Sequence, residues 1–207
     1  MSFRGRLFIS MCAVALASSF ILHAQPQPSI AIPPTVIASP GTVALDGPWK
    51  FHLGDDTAWA QPDLDDTHWE SIDIARPWGD QGHWAYGGRA WYRRQVTMQD
   101  ASSASAALGL YIPEAACAYE IYWNGRIIGH TAAMPAPTMF GYSPLQVFPL
   151  GPPQTGVLAI RASTELLDST SAGDAFGFAA VPQLGTLTAV HNAAAAQRAV
   201  LDRKSVV

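Results

Sequence analysis

Short apolar or alternating segments, separated by turn residues, fill the chain from about residue 42 to residue 190. Their aromatic and β-branched residues favour strands, and none keeps a helical period over the length of an ordinary helix. The segments are Trp49–Leu53, Trp69–Ile74, Ala90–Met98, Ala107–Ile112, Ala118–Trp123, Arg126–Gly129, Gln146–Leu150 and Gly156–Ala162. Strands of this length and spacing predict an all-β fold, an antiparallel β-sandwich.

Two turns and four tryptophans predict details of this sandwich. Asn124-Gly125 stands between two strand segments, and Asn-Gly is the strongest short hairpin signal. Asp63 to Trp69 is a turn whose Asp and Thr side chains can cap backbone amides. The tryptophans in strand segments are predicted to lie in the core; they are Trp49, Trp69, Trp91 and Trp123.

The two ends of the chain differ from the middle. Arg4 and Arg6 precede an apolar run, Leu7–Leu22, which predicts a signal peptide over residues 1–24 with cleavage after Ala24; an uncleaved membrane anchor is the alternative. Residues 25–41 are Pro-rich and predict an extended tether. Either way, the protein is expected to be exported, to the periplasm or the cell exterior.

The last residues are predicted to form a short helical tail, 191–207, after a sandwich at 42–190. The apolar face of this tail contains only Ala, Val and Leu, which is thin for a packed element. The chain is therefore expected to be a fragment of a longer protein, whose further domains would be its partners. Contact with a membrane is expected only through an uncleaved signal or through helices beyond Val207.

The composition is that of one folded domain, and it argues against a nucleic-acid partner. The chain has 207 residues, 49% hydrophobic and 14% charged, enough for a single core. Twelve Lys and Arg stand against 16 Asp and Glu, with the arginines dispersed, so no nucleic-acid partner is expected. If Cys12 is removed with the signal, Cys117 has no partner for a disulfide, and its apolar surroundings predict a buried, inert thiol.

Four motifs, in order, resemble those of the sugar-binding domain at the front of family 2 glycoside hydrolases. Leu45–Phe51 resembles its opening strand, and Asp63–Glu70 its Asp-Asp-x-x-Trp turn. Gly88–Arg94 is similar to its Gly-x-x-Trp-Tyr-Arg-Arg strand, and Glu120–Gly129 to its Asn-Gly hairpin. The resemblance implies a galactose-binding-like jelly roll, a form of antiparallel β-sandwich.

The same resemblance implies a function without catalysis. The catalytic groups of that family lie in a later (β/α)₈ barrel of roughly 250 residues, for which this chain has no room. Similar domains also form extracytoplasmic sensors of bacterial membrane signalling proteins. The expected function is thus a carbohydrate-binding or ligand-sensing module. The alternatives are the accessory front domain of a hydrolase and a purely structural scaffold.

The loop between the second and third predicted strands is the candidate ligand site. It combines aromatic rings, which stack on sugars, with polar groups that can take paired hydrogen bonds from hydroxyls. The candidate residues are Trp78, Asp80, Gln81, His83, Trp84, Tyr86 and Arg89. The alternative is that the tryptophans pack the end of the sandwich while the polar residues only solvate the loop.

No cofactor or metal is expected, and no catalytic residue can be assigned. Asp55, Asp56, Asp63, Asp65 and Asp66 could contribute to a calcium site, but turn capping is the favoured interpretation. The histidines lack zinc-site spacing. The glutamates, of which there are four, offer no assignable glycosidase pair; they are Glu70, Glu114, Glu120 and Glu165.

Consecutive arginines mark the third predicted strand. Arg93 and Arg94 face opposite sides of the strand, because side chains alternate along it. One of them is predicted to pair with a carboxylate such as Asp66 against the sheet. That pair would be structural rather than catalytic.

Overall fold

The computed structural model of the protein describes residues 35–37, 41–84, 86–98, 106–131, 145–152, 154–164 and 177–204. The predicted signal segment and most of the predicted tether lie outside these residues, as do Cys12 and Glu165. The strands described are β1 (Thr35–Ile37), β2 (Thr42–Ala44), β3 (Pro48–Leu53), β4 (Glu70–Asp73), β5 (Arg89–Met98), β6 (Leu108–Ile112), β7 (Ala118–Trp123), β8 (Arg126–His130), β9 (Gln146–Gly151), β10 (Gly156–Ser163) and β11 (Gln183–Thr186). A helix, α1 (Leu187–Lys204), follows them.

The strands form two sheets, which confirms the predicted β-sandwich. The large sheet has the order β4-β3-β5-β10-β7-β8, with β1 paired in parallel to β5, and the small sheet has the order β2-β11-β6-β9. The other pairings are antiparallel. All eight strand segments expected from the sequence are present. The three strands not expected are β1, which lies within the predicted tether, β2 and β11.

The core lies between the two sheets. Alternate residues of each strand point inward, so the large sheet contributes residues such as Trp49, Tyr92 and Ile160, and the small sheet residues such as Leu110 and Leu184. The Cys117 thiol is buried here as expected, and burial raises its pKa to about 12. A thiol held protonated is a poor nucleophile at neutral pH.

A covering segment, residues 54–69, lies on the outer face of the large sheet. Trp59, Ala60 and Trp69 pack there against Trp91 and other outward-facing side chains, forming a second apolar cluster. Trp91 is fully buried as predicted, although beneath this segment rather than between the sheets. The prediction that Trp69 lies in the core was wrong: it is half-buried, because it belongs to the covering layer.

Arg93 attaches the covering segment to the sheet. Its Nε donates to Asp66 Oδ2 at 2.8 Å, which confirms the predicted pair. Its Nη1 donates to the carbonyl oxygens of Trp59 and Gln61. The Arg93 side chain also lies over the Trp69 ring, with Cζ 5.8 Å from the ring centroid. One buried guanidinium therefore holds the part of the segment from Trp59 to Trp69.

Helix α1 covers the outer face of the small sheet. It buries Val190 and Ala194 against Tyr111 of β6. Gly109 permits this close approach, because a Cβ at that position would lie 2.6 Å from Val190. The helix begins at Leu187 rather than at the predicted residue 191, since the Thr186 hydroxyl accepts a hydrogen bond from the Ala189 amide. No helix within the described residues has both the length and the hydropathy to span a membrane.

The Asn124-Gly125 hairpin joins β7 to β8 as predicted. Both residues have positive φ, 49° and 78°, as a type I′ turn requires. The Asn124 side chain has a further role, since its Oδ1 accepts a hydrogen bond from the Val157 amide at 2.8 Å. The turn therefore attaches the hairpin to β10 as well as reversing the chain.

Replacing Gly125 with Val is expected to destabilise the protein by about 1–3 kcal/mol, because a β-branched residue is strained at positive φ. A Cβ there would also lie 2.7 Å from Gln61 Oε1 of the covering segment. Urea unfolding followed by circular dichroism measures the loss. Ile127→Val, at a half-exposed position of the same hairpin, is the control. An unchanged midpoint for Gly125→Val would contradict the turn assignment.

Candidate functional site

The loop between β4 and β5 is held by one glutamine. Gln81 lies in a single 3₁₀ turn, Gly79–Gln81, which ends at Gly82. Its Oε1 accepts from the Asp73 amide at 2.8 Å, and its Nε2 donates to the carbonyl oxygens of Asp73 and Arg76 at 2.9 Å each. A side chain bonded at these sites fixes the loop, so Gln81 positions the loop backbone rather than facing solvent.

Trp78 and Tyr86 point toward the end of the core. Trp78 has no exposed surface, and its Nε1–H donates to the hydroxyl of Tyr92. The ring centroids of Trp78 and Tyr86 are 6.1 Å apart, and the Tyr86 hydroxyl donates to the Arg89 carbonyl oxygen at 2.8 Å. A ring without exposed surface offers no face to a ligand, so Trp78 packs the sandwich end, as the alternative interpretation stated.

His83 connects the loop to the edge of the large sheet. Its Nε2 lies 3.0 Å from Glu70 Oε1, an ion-pair distance without the alignment of a hydrogen bond. Its ring packs on Phe51, with centroids 5.3 Å apart. The His83 side chain therefore packs between the loop and β3, and only 15% of it is exposed.

Trp84 and Asp80 are the loop residues that face solvent. Trp84 is 66% exposed, and within the described residues it is the one large aromatic residue with most of its surface outside the fold. Asp80 is exposed one turn earlier, and its carbonyl oxygen accepts a hydrogen bond from Arg76 Nη2. An indole face and a carboxylate thus project from a backbone that Gln81 holds in place.

Arg89 lies elsewhere, on the outer face of the large sheet. It shares that face with Trp91 and Arg93, because alternate residues of β5 point the same way. Its Nη1 contacts Asp55 Oδ2 in the covering segment. The predicted ligand residues are therefore divided among the core, the loop surface and the outer face.

Asp55 is the centre of a charged network that includes Arg89. Both of its carboxylate oxygens accept from Arg161, at 2.7 Å from Nε and Nη2. Arg161 Nη1 donates to Glu120 Oε2 at 2.8 Å, and the Tyr122 hydroxyl donates to the same oxygen. The hydrogen bonds from Arg161 lower the pKa of Asp55 to about 2, against the opposing effect of burial.

This network holds the covering segment on the large sheet. It is not suited to acid–base catalysis. A carboxyl group with a pKa near 2 is a poor proton donor at neutral pH. Sequence analysis missed the network because Asp55 and Arg161 are 106 residues apart. The available signal was Arg161 itself, a lone charge within the apolar run of β10.

Of the aspartates predicted to cap turns, Asp56 and Asp65 do so, whereas Asp55 and Asp66 instead form ion pairs with arginines of the large sheet. Asp56 Oδ1 accepts from the Ala58 amide at 2.8 Å, and Asp65 Oδ1 accepts from the Thr67 amide at 3.0 Å. These bonds satisfy backbone amides at the 3₁₀ turn that follows Asp56 and at the turn that contains Thr67. In the described part of the chain, no three metal-ligating side chains are grouped to hold an ion.

No protein family and no curated protein matches the sequence, but solved structures match the fold. A glycosyl hydrolase family 2 member from Bacteroides cellulosilyticus is 19% identical with a TM-score of 0.55, over 70% of this chain and 20% of that one. A β-glycosidase from Bacteroides vulgatus is 22% identical with a TM-score of 0.53, over 70% and 20%. Bacteroides uniformis β-glucuronidase is 25% identical with a TM-score of 0.54, over 69% and 17%.

The chain spans about a fifth of the length of these enzymes. Identities of this order establish a shared fold and do not carry over a site or a substrate. The sandwich therefore has the fold of one part of glycosyl hydrolase family 2 proteins.

Proposed function

We propose that this chain is an exported, non-catalytic module that binds carbohydrate or senses a saccharide ligand. The observation that carries the proposal is Trp84, exposed on a loop whose other aromatic side chains are turned inward. A large aromatic ring presented to solvent by a fixed backbone offers a flat apolar face on which a sugar ring can stack.

The exposed groups of the loop suit a sugar. The Trp84 indole can stack on the apolar face of a pyranose ring. The neighbouring Asp80 carboxylate can accept hydrogen bonds from two adjacent hydroxyls. Affinity for one sugar unit is expected to be millimolar, about 4 kcal/mol, because a single stacked ring competes with solvent.

Absence of catalysis is part of the proposal. Two of the glutamates are engaged in contacts that hold the fold, Glu70 with His83 and Glu120 with Arg161. Asp55 is held ionised by Arg161. The matched region is 20% of the family 2 hydrolase from Bacteroides cellulosilyticus, which leaves room in that enzyme for a separate catalytic domain. Purified protein is expected not to hydrolyse chromogenic galactosides, glucosides or glucuronides.

The second candidate is an accessory domain of a family 2 hydrolase. It is favoured by the solved structures, in which this fold is about a fifth of a longer enzyme. The loop would then contact a catalytic domain instead of a free sugar. In that case Trp84 would be covered by protein, and the isolated module would bind no saccharide.

A titration with mono- and oligosaccharides, followed by calorimetry and tryptophan fluorescence, tests the proposal. Trp84→Ala and Asp80→Asn are expected to weaken binding by about tenfold, the value of one stacked ring or one charge-assisted hydrogen bond. Leu201→Ala, which alters an exposed apolar residue on α1, is the matched control and should leave affinity unchanged. Saturable binding that survives both loop substitutions would place the site elsewhere.

A further inference from the structure

We propose that His83 and Glu70 form a proton-dependent contact that holds the loop carrying Trp84 on the edge of the large sheet. In this contact His83 Nε2 lies 3.0 Å from Glu70 Oε1, which is an ion-pair distance. The two groups are not aligned as a hydrogen bond. The contact therefore depends on charge: it is attractive when the imidazole is protonated and weak when the ring is neutral.

The imidazole is nearly enclosed, so solvent does not replace the contact. Only 15% of the His83 side chain is exposed, and Nε2 is buried without a hydrogen-bond partner. A buried nitrogen without a partner costs free energy, and protonation turns it into a charged donor for the carboxylate of Glu70. Because 45% of the Glu70 side chain is exposed, solvent screens the attraction, and the expected effect is moderate.

The surroundings of the imidazole place one carboxylate at ion-pair distance within the described residues, that of Glu70 from β4. The contact from β3 is the uncharged ring of Phe51. The titratable and charged groups of the loop itself form bonds elsewhere or face solvent. They are Asp73, which accepts from the Ala75 amide, Arg76, which donates to the Asp80 carbonyl oxygen, Tyr86, which donates to the Arg89 carbonyl oxygen, and the exposed Asp80.

His83 transmits this contact to Trp84 because the two residues are adjacent in the chain. The His83 amide donates to the Trp78 carbonyl oxygen at 3.0 Å, and its own carbonyl oxygen accepts from the Tyr86 amide at 3.2 Å. Holding the ring therefore holds the backbone on both sides of Trp84. When His83 is protonated, the loop is fixed both by Gln81 and by the ion pair; when His83 is neutral, the Gln81 bonds act without it.

The consequence for binding rests on the proposed function. A ligand that binds an already ordered loop loses less conformational entropy. Histidine gains its proton as the pH falls through the range of about 8 to 5. The affinity of the Trp84 loop for a saccharide is therefore expected to rise as the pH falls through this range.

A double-mutant cycle at two pH values tests the contact without any ligand. The unaltered protein, His83→Gln, Glu70→Gln and the double variant are unfolded with urea at about pH 5.5 and about pH 8. At the lower pH, Glu70→Gln is expected to lower the urea midpoint in the unaltered background and to have no effect in the His83→Gln background. At the higher pH its effect should vanish in both.

Hydrogen exchange locates the effect in the loop. Amides of residues 76–84 are expected to exchange about threefold faster in Glu70→Gln than in the unaltered protein at the lower pH, the size of a partly exposed ion pair, and at equal rates at the higher pH. His191→Gln, which removes an exposed imidazole from α1, is the control and should leave the exchange of the loop unchanged at both pH values.

Coupling between His83 and Glu70 that is present at the lower pH and lost at the higher pH supports the contact. Equal coupling at both pH values, or none at either, would overturn it, because contact by packing alone does not require a proton. Oligosaccharide titrations at the same pH values test the consequence: affinity is expected to be about threefold higher at the lower pH for the unaltered protein and equal for Glu70→Gln. An affinity of the unaltered protein that does not change with pH would overturn the effect on the site. Absence of any saccharide binding would contradict the proposed function, while the ligand-free cycle still decides the contact.

Discussion

Trp78→Ala is expected to lower the free energy of unfolding by about 3–5 kcal/mol. The side chain is fully buried, packs 5.8 Å from the Phe51 ring between centroids, and donates its indole N–H to Tyr92. Alanine would leave both a large cavity and a buried hydroxyl without its donor. Urea denaturation followed by circular dichroism measures the change, with the slope checked for two-state behaviour.

Trp84→Ala is the matched control, because it removes the same side chain six residues later from a site that is 66% exposed. Its effect on stability is expected to stay within about 0.5 kcal/mol. The pair separates the structural tryptophan of the loop from the one available to a ligand. Equal losses in the two variants would contradict the assignment of the two rings.

Arg93→Gln is expected to destabilise the protein by on the order of 3 kcal/mol. The change leaves Asp66 without its cation and the carbonyl oxygens of Trp59 and Gln61 without donors. The packing of the guanidinium on Trp69 is lost as well. The covering segment should then detach before the sandwich unfolds, which faster hydrogen exchange at residues 54–69 would show.

Arg126→Gln removes an arginine of the same sheet from an exposed edge and should change stability by less than about 0.5 kcal/mol. Arg93→Lys adds a second comparison, because it keeps the charge without the planar fork that reaches three acceptors. It is expected to recover only part of the loss. Full recovery by lysine would show that charge alone holds the segment.

The strands of the sandwich were predictable because their side chains alternate between core and surface. This alternation is strong in β3 and β7, whereas β10 is buried on both faces and is instead a continuous apolar run. The alternation is absent from β2 and β11, which are three and four residues long and join the small sheet through pairing with neighbours distant in sequence. A strand of three or four residues is too short for an alternating pattern of core and surface positions to be recognised in the sequence.

The sequence predicted which types of residue the candidate loop contains, but not the directions in which their side chains point. Trp78 and Trp84 stand in similar sequence surroundings, yet one is buried and the other exposed. The difference arises from the 3₁₀ turn and from the Gln81 bonds, which depend on three-dimensional closure of the loop. Arg89 was grouped with the loop because it is adjacent in sequence, whereas the pleat of β5 directs it to the outer face.

The most direct test of carbohydrate binding at the loop is the chemical shift of the tryptophan indole N–H groups during titration with oligosaccharides. The predicted result is a saturable shift of the Trp84 resonance, assigned from its absence in Trp84→Ala, while the buried indoles of Trp49, Trp78 and Trp91 stay in place. Saturable binding measured by calorimetry on the same sample, with the Trp84 resonance unmoved, would contradict the proposed site.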